Sequence, residues 1–133
     1  MGSINWFAVI AAALSMFVIG GVWYGPLFAK PWQKAAGVSD EQLKAGNMPL
    51  IFGLAFVFSL LMAANLAFLV TATPPLPLGM IIGYSIAAGL GFASFGLAVV
   101  ALFERRPLSY FLINGGYLTV AFAVMGLIIG IWR

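Results

Sequence analysis

The sequence contains no histidine and no cysteine, and only six basic and three acidic residues among its 133. Without histidine it lacks the commonest general base at neutral pH, and without cysteine it lacks thiolate chemistry and any disulfide framework; the two absences together remove the usual zinc and haem ligands. The nine charges all lie at the edges of apolar runs or between them. No apolar run holds an internal Asp, Glu, Lys or Arg, and coupled transporters normally need an ionisable group near the midplane. Intramembrane proteases and acyltransferases built on His, Cys or paired carboxylates are excluded on the same ground. The expectation is therefore a non-enzymatic protein with no cofactor, no metal and no nucleic-acid partner.

What is present is hydrophobic. Such residues make up 64% of the chain, against 7% charged, and the mean hydropathy is +1.13. Soluble domains carry about a quarter charged residues. The composition predicts an all-α polytopic membrane protein whose partner is the lipid bilayer. Four uncharged runs, residues 4–24, 50–70, 78–103 and 108–132, each reach the roughly 20 residues needed to cross about 30 Å of hydrocarbon. They predict one transmembrane domain over residues 1–133, a compact bundle of four helices. The third run, about 39 Å long if wholly helical, exceeds a bilayer core and predicts tilt or a protruding end. A cleaved signal peptide is the rival reading of the first run, but no basic residue precedes it and it ends in Trp23-Tyr24-Gly25-Pro26, not in a small-x-small site. Gly2 resembles the start of an acylation signal, yet Trp6 stands where Ser or Thr is wanted.

The chain leaves lipid between Gly20 and Trp32. Trp23, Tyr24 and Trp32 read as interfacial aromatics, with Trp6 and Trp132 at the other face, and Gly25-Pro26 reads as a helix stop. A cation-binding aromatic cage is the alternative for the same rings. In the polar loop 26–49, Pro31 fits the first turn of a short interfacial helix ended by Gly37, with Trp32 toward lipid and Lys34 toward water. Ser39 with Gln42 reads as an N-cap and its third helical position, and Gly46-Asn47 as a stop; a plain solvated loop is the alternative. Pro74, Pro75 and Pro77 force a stiff reversal between the second and third runs. Lys30, Lys34, Lys44, Arg105 and Arg106 lie on one side of the membrane and only Arg133 on the other. The positive-inside rule then places the basic loops in the cytoplasm and both termini outside, in a bacterial inner membrane.

Two patterns inside the spans are candidates for function. Gly79, Gly83, Ala87 and Gly91 recur every four residues in the third run, with Gly89 and Gly96 nearby, which lets another helix approach closely. That helix belongs either to the same chain or to a neighbouring subunit. Gly126 and Gly130 form a weaker pair of the same kind. Tyr110, Asn114 and Tyr117 share one stripe of the fourth run, with Tyr117 about 14 Å along it, and Ser94 falls at a similar level on the third. Such groups serve either as interhelical hydrogen bonds or as the lining of a polar solute path.

Asn5-Trp6-x-Ala8-Val9, then Phe17-x-x-Gly20-x-x-Trp23-Tyr24-x-Pro26, then Phe28, Trp32 and Gly37 before Ser39-Asp40-Glu41, resemble the domain of unknown function 1761 family, small bacterial and fungal membrane proteins. The resemblance covers the whole chain in length and helix number, and its motif lies between Asn5 and Trp32. It implies the four-helix membrane fold and transfers no catalytic residue. Size and helix number also resemble small multidrug-resistance transporters, but that pattern carries a glutamate in the first helix, and residues 4–24 have none. The sequence leaves two functions open: a packing protein that forms a homo-oligomer or joins a membrane partner, and an uncoupled channel or facilitator for a small neutral or cationic solute.

Overall fold

A computed structural model describes residues 3–133; Gly2 lies outside the described residues. Among the described residues all regular structure is helical. Four helices are long and apolar enough to cross a membrane: α1 (Trp6–Leu27), α4 (Met48–Ala72), α5 (Leu78–Phe103) and α6 (Leu108–Ile131). Two short helices, α2 (Ala29–Ala36) and α3 (Asp40–Ala45), fill the polar loop. At 22 to 26 residues each, the long helices span about 33 to 39 Å, enough for the hydrocarbon core.

The four do not form a square. Helix α6 packs against both α1 and α5, and α1 packs against both α4 and α6, so α4 and α5 are the flanks. The core is built from small residues that bring backbones together. Ala12 and Ala13 on α1 cluster with Ala63 and Ala67 on α4 and Ala121 on α6, together with Val9, Met16, Met125 and Ile129. In lipid no apolar transfer drives such contacts, and close packing takes its place.

Between α5 and α6 the approach is tighter still. A Cβ added at Gly126 would lie 2.5 Å from Ser85 Cβ, one at Gly130 would lie 2.6 Å from Leu78 Cδ1, and one at Gly89 would lie 2.6 Å from Phe122 Cβ. The Gly126 and Gly130 pair is therefore a helix contact, and its counterpart on α5 is the face of Ile81, Ser85 and Gly89. Ser85 turns its hydroxyl back onto Ile81 O at 2.7 Å, which satisfies it inside the contact.

Two local features differ from the sequence reading. Gly25-Pro26 does not stop α1, which continues through Trp23–Leu27 as a π turn. A proline ring clashes with the carbonyl four residues back in an ordinary α turn; widening the turn relieves that clash, and Phe28 N closes it on Trp23 O at 2.9 Å. Helix α2 begins at Ala29, which keeps Pro31 in its first turn as expected. Helix α5 is interrupted by a π segment, Ala87–Ser94, which the sequence did not signal.

The polar loop is ordered as its capping residues dictate. Gly37 ends α2 in the left-handed region at φ 69°, and Val38 N reaches back to Gln33 O at 3.1 Å. Ser39 and Gln42 form a reciprocal capping box at 3.2 and 2.8 Å. Asn47, expected only as part of a stop, also caps the next membrane helix by accepting from Leu50 N at 3.2 Å.

Candidate functional site

The sequence motif of the first span and the polar stripe of the fourth meet in one place, the basic end of the α1 and α6 pair. Trp23 Nε1 donates to Ile113 O at 2.8 Å. Tyr24 Oη donates to Asn114 Oδ1 at 2.5 Å, and Tyr117 Oη donates to Met16 O at 3.0 Å. The rings interlock around these bonds: Tyr24 meets Tyr117 edge-on at 5.2 Å and Trp32 at 5.8 Å, and Trp23 lies 5.1 Å from Phe28.

Glycines make room for this junction. A Cβ at Gly20 would lie 3.1 Å from Tyr117 Oη, and one at Gly116 would lie 3.0 Å from Trp23 Cζ2. Each aromatic ring thus rests on a bare stretch of the opposing helix. The π turn at Trp23–Leu27 carries Trp23 and Tyr24 round toward α6. Trp23, Tyr24 and Trp32 are all half-buried, and the hydrogen-bonding group of each of the first two is taken by α6.

Tyr110 is half-buried at the same end and lies under the Arg106 guanidinium, 5.7 Å from its ring centre. Arg106 also donates to Ala36 O at 2.5 Å, so it holds the C-terminus of α2 against the start of α6. Basic groups are favourable at a helix C-terminus, where unpaired carbonyls concentrate negative charge. At the opposite end Asn5 does two things. Its Oδ1 caps α1 by accepting from Phe7 N at 3.1 Å, and its Nδ2 donates to Trp132 O at 2.8 Å. The first span is therefore fastened to the fourth at both ends.

Ser94 belongs elsewhere. It is fully buried between α5 and α6, donating to Gly89 O at 2.7 Å and lying 3.0 Å from Gly115 O. A π segment leaves carbonyls without their usual partner, and the Ser94 hydroxyl meets one of them. It shares a level with the stripe but occupies another face. Gly79, Gly83, Ala87 and Gly91 are also on no internal contact. All four are exposed, and a Cβ at Gly79, Gly83 or Gly91 would meet nothing within 4 Å. Of the two helices expected to meet them, the one of the same chain is not there: close packing inside the bundle falls to Ser85, Gly89, Gly126 and Gly130.

A trough of about 500 Å³ opens beside the junction, between the basic ends of α1 and α4. Phe17, Gly20, Gly21, Tyr24, Phe52 and Tyr117 are among its lining residues. Among the described residues no cluster of His, Cys, Asp or Glu is able to hold a metal ion.

The family described as Protein of unknown function (DUF1761) matches residues 7–130. The chain belongs to that family. No curated protein and no solved structure matches it. The DUF1761 match runs from the first turn of α1 to the last of α6, so it includes every part of the aromatic junction and leaves only Asn5 and Trp132 of the distal clasp outside. In this DUF1761 chain the motif between Asn5 and Trp32 fastens helices together. Gly116, Ile113 and Met16 are the partners that the sequence did not reveal, because two of them act through backbone carbonyls and the third through lacking a side chain.

Proposed function

We propose that the protein is a non-enzymatic packing unit of the membrane, which self-associates through the outward face of α5 formed by Gly79, Gly83, Ala87 and Gly91. The observation that carries this reading is the bareness of that face: four small exposed residues spaced one turn apart, with nothing of the same chain over the three glycines. Helices associate in lipid where small residues let backbones close in, and here the internal contacts are already made by other glycines. The basic loops face the cytoplasm of a bacterial inner membrane, with both termini outside, on the strength of five Lys and Arg residues against one.

The channel or facilitator reading needs Asn114 and Tyr117 to face water. Each instead hydrogen-bonds α1, and Ser94 bonds backbone carbonyls, which favours packing over a solute path. Gly83→Leu tests the proposal, since a Cβ there meets nothing within 4 Å. Light scattering of the purified protein in mild detergent should show a smaller particle with unchanged helicity. A parent particle of one chain, or an oligomer indifferent to Gly83→Leu, Gly79→Leu and Gly91→Leu alike, would remove it; a larger assembly seen only with a co-purifying protein would point to a membrane partner instead.

A further inference from the structure

Helix α5 lies along α6, but the residues it turns toward that helix do not keep one spacing. In its outer half Ile81, Ser85 and Gly89 follow at four-residue spacing, and Gly130, Gly126 and Phe122 of α6 lie over them in turn. The next residue to face α6 is Ser94, five further on. Its hydroxyl reaches Gly115 O of α6 at 3.0 Å and Gly89 O of its own helix at 2.7 Å. At about 3.6 residues per turn, five residues carry the chain to about 140° away. Gly89 and Ser94 therefore share a face only because Ala87–Ser94 is a π segment with one surplus residue.

The rest of the sequence does not fix that arrangement. The basic-end half, Phe95–Phe103, is apolar throughout, and Phe95, Val99, Val100, Leu102 and Phe103 are exposed, so lipid accepts any face of it. The stack of Phe95 on Phe111 at 6.2 Å is the other hold on this half, and acyl chains are as apolar as the ring that would leave. Without the surplus residue, each residue would take the place now held by the next. Ala93 would replace Ser94, Gly96 would replace Leu97, and Val100 would replace Ala101. The first two are small, as a close helix contact in lipid requires. Gly96 points to the same second register. It stands inside a helix, where glycine is less favourable than alanine, yet in the present register a Cβ there would meet nothing within 4 Å.

We infer that the basic-end half of α5 has two registers against α6, one residue apart, and that Ser94 is the positioning residue that pins the one seen. Among the described residues it is the one side chain of α5 that hydrogen-bonds α6. In the second register Ala93 stands in its place and no such bond forms. A polar group in an otherwise apolar helix contact fixes register in this way. One residue of register is a turn of about 100°, which carries side-chain tips roughly 5 to 6 Å from the axis through about 8 Å. The outer half, with Gly79 and Gly83, stays still, so the device works within a single chain.

Double electron-electron resonance tests it, with spin labels on Val57→Cys of α4 paired with Val99→Cys or Leu102→Cys of α5. All three positions are exposed, and the two on α5 move to places now held by exposed Val100 and Phe103. Excess unlabelled chain excludes distances between chains. The parent should give one distance per pair. Ser94→Ala should add a second, displaced by up to about 8 Å in at least one pair. Ser85→Ala removes an equally buried hydroxyl from the outer half and should add none. Deleting Leu90 from the Ser94→Ala chain removes the surplus residue and should restore the parent's distances. Circular dichroism establishes that each variant is folded. Parental distances in folded Ser94→Ala, two distances in the parent, or the same second distance in Ser85→Ala would overturn the pinning role. Should Ser94→Ala fail to fold, the added deletion decides: a folded chain with parental distances is expected, and continued failure to fold overturns it.

Discussion

Replacing Gly126 with alanine adds a single methyl group and should weaken the bundle measurably. That carbon would stand 2.5 Å from Ser85 Cβ, whereas carbon atoms pack at about 3.5 to 4.0 Å. The α5 and α6 axes must then part by on the order of 1 Å over a contact that also includes Gly130 against Leu78, so no single side chain is able to yield. Overpacking of this kind costs about 1 to 3 kcal/mol. The control is Gly83→Ala on the outward face of α5, where the new methyl meets nothing and helix propensity is gained, up to about 1 kcal/mol. Unfolding in mixed micelles of rising sodium dodecyl sulfate fraction, followed by circular dichroism, measures both. Ser85→Gly removes the Cβ and Oγ that overlap the new methyl and should restore part of the stability lost in Gly126→Ala, a coupling visible in a double-mutant cycle. If Gly126→Ala were as harmless as Gly83→Ala, the assignment of the two glycine faces would be wrong.

The aromatic junction gives a second test. Asn114→Leu and Tyr24→Phe each remove the same hydrogen bond, so each should cost about 0.5 to 2 kcal/mol in the same assay and the pair should cost less than the sum. No ion or solute flux should appear in liposomes for the parent or either variant; flux in the parent that Asn114→Leu abolishes without loss of stability would favour the channel. Asn5→Ala loses the α1 cap and the bond to Trp132 O, and should cost about 1 kcal/mol and speed amide exchange in the first turn of α1. Gly37→Ala forces a side chain into the left-handed region beside Arg106, costing about 1 to 2 kcal/mol locally. Its readout is faster exchange in α2 with the membrane helices unchanged.

The membrane class and helix number were legible in the sequence because a span announces itself by length and by the lack of charge. The end of α1 was not, since Gly25-Pro26 reads as a stop unless the turn widens, and π turns have no compositional signature. The loop helices were legible residue by residue: Gly37, Ser39 and Gln42 act locally, through bonds to near neighbours. Which face of α5 packs inside the bundle stayed open because four-residue spacing occurs twice there, once as Gly79, Gly83, Ala87 and Gly91 and again as Ile81, Ser85 and Gly89. Counting glycines favours the first, while the structure packs the second against α6. The stripe of Tyr110, Asn114 and Tyr117 was found, but not its partners on α1, because a single sequence carries no sign of which helices are adjacent.

Self-association through the outward face of α5 is tested most directly by cross-linking, which the absence of native cysteine makes clean. Single-cysteine variants Gly83→Cys and Gly91→Cys, oxidised in liposomes with copper phenanthroline, should give a band of twice the monomer mass. Val57→Cys, exposed on the far flank of α4, should give none. Absence of that band from both α5 variants, or an equal yield from Val57→Cys, would contradict the account.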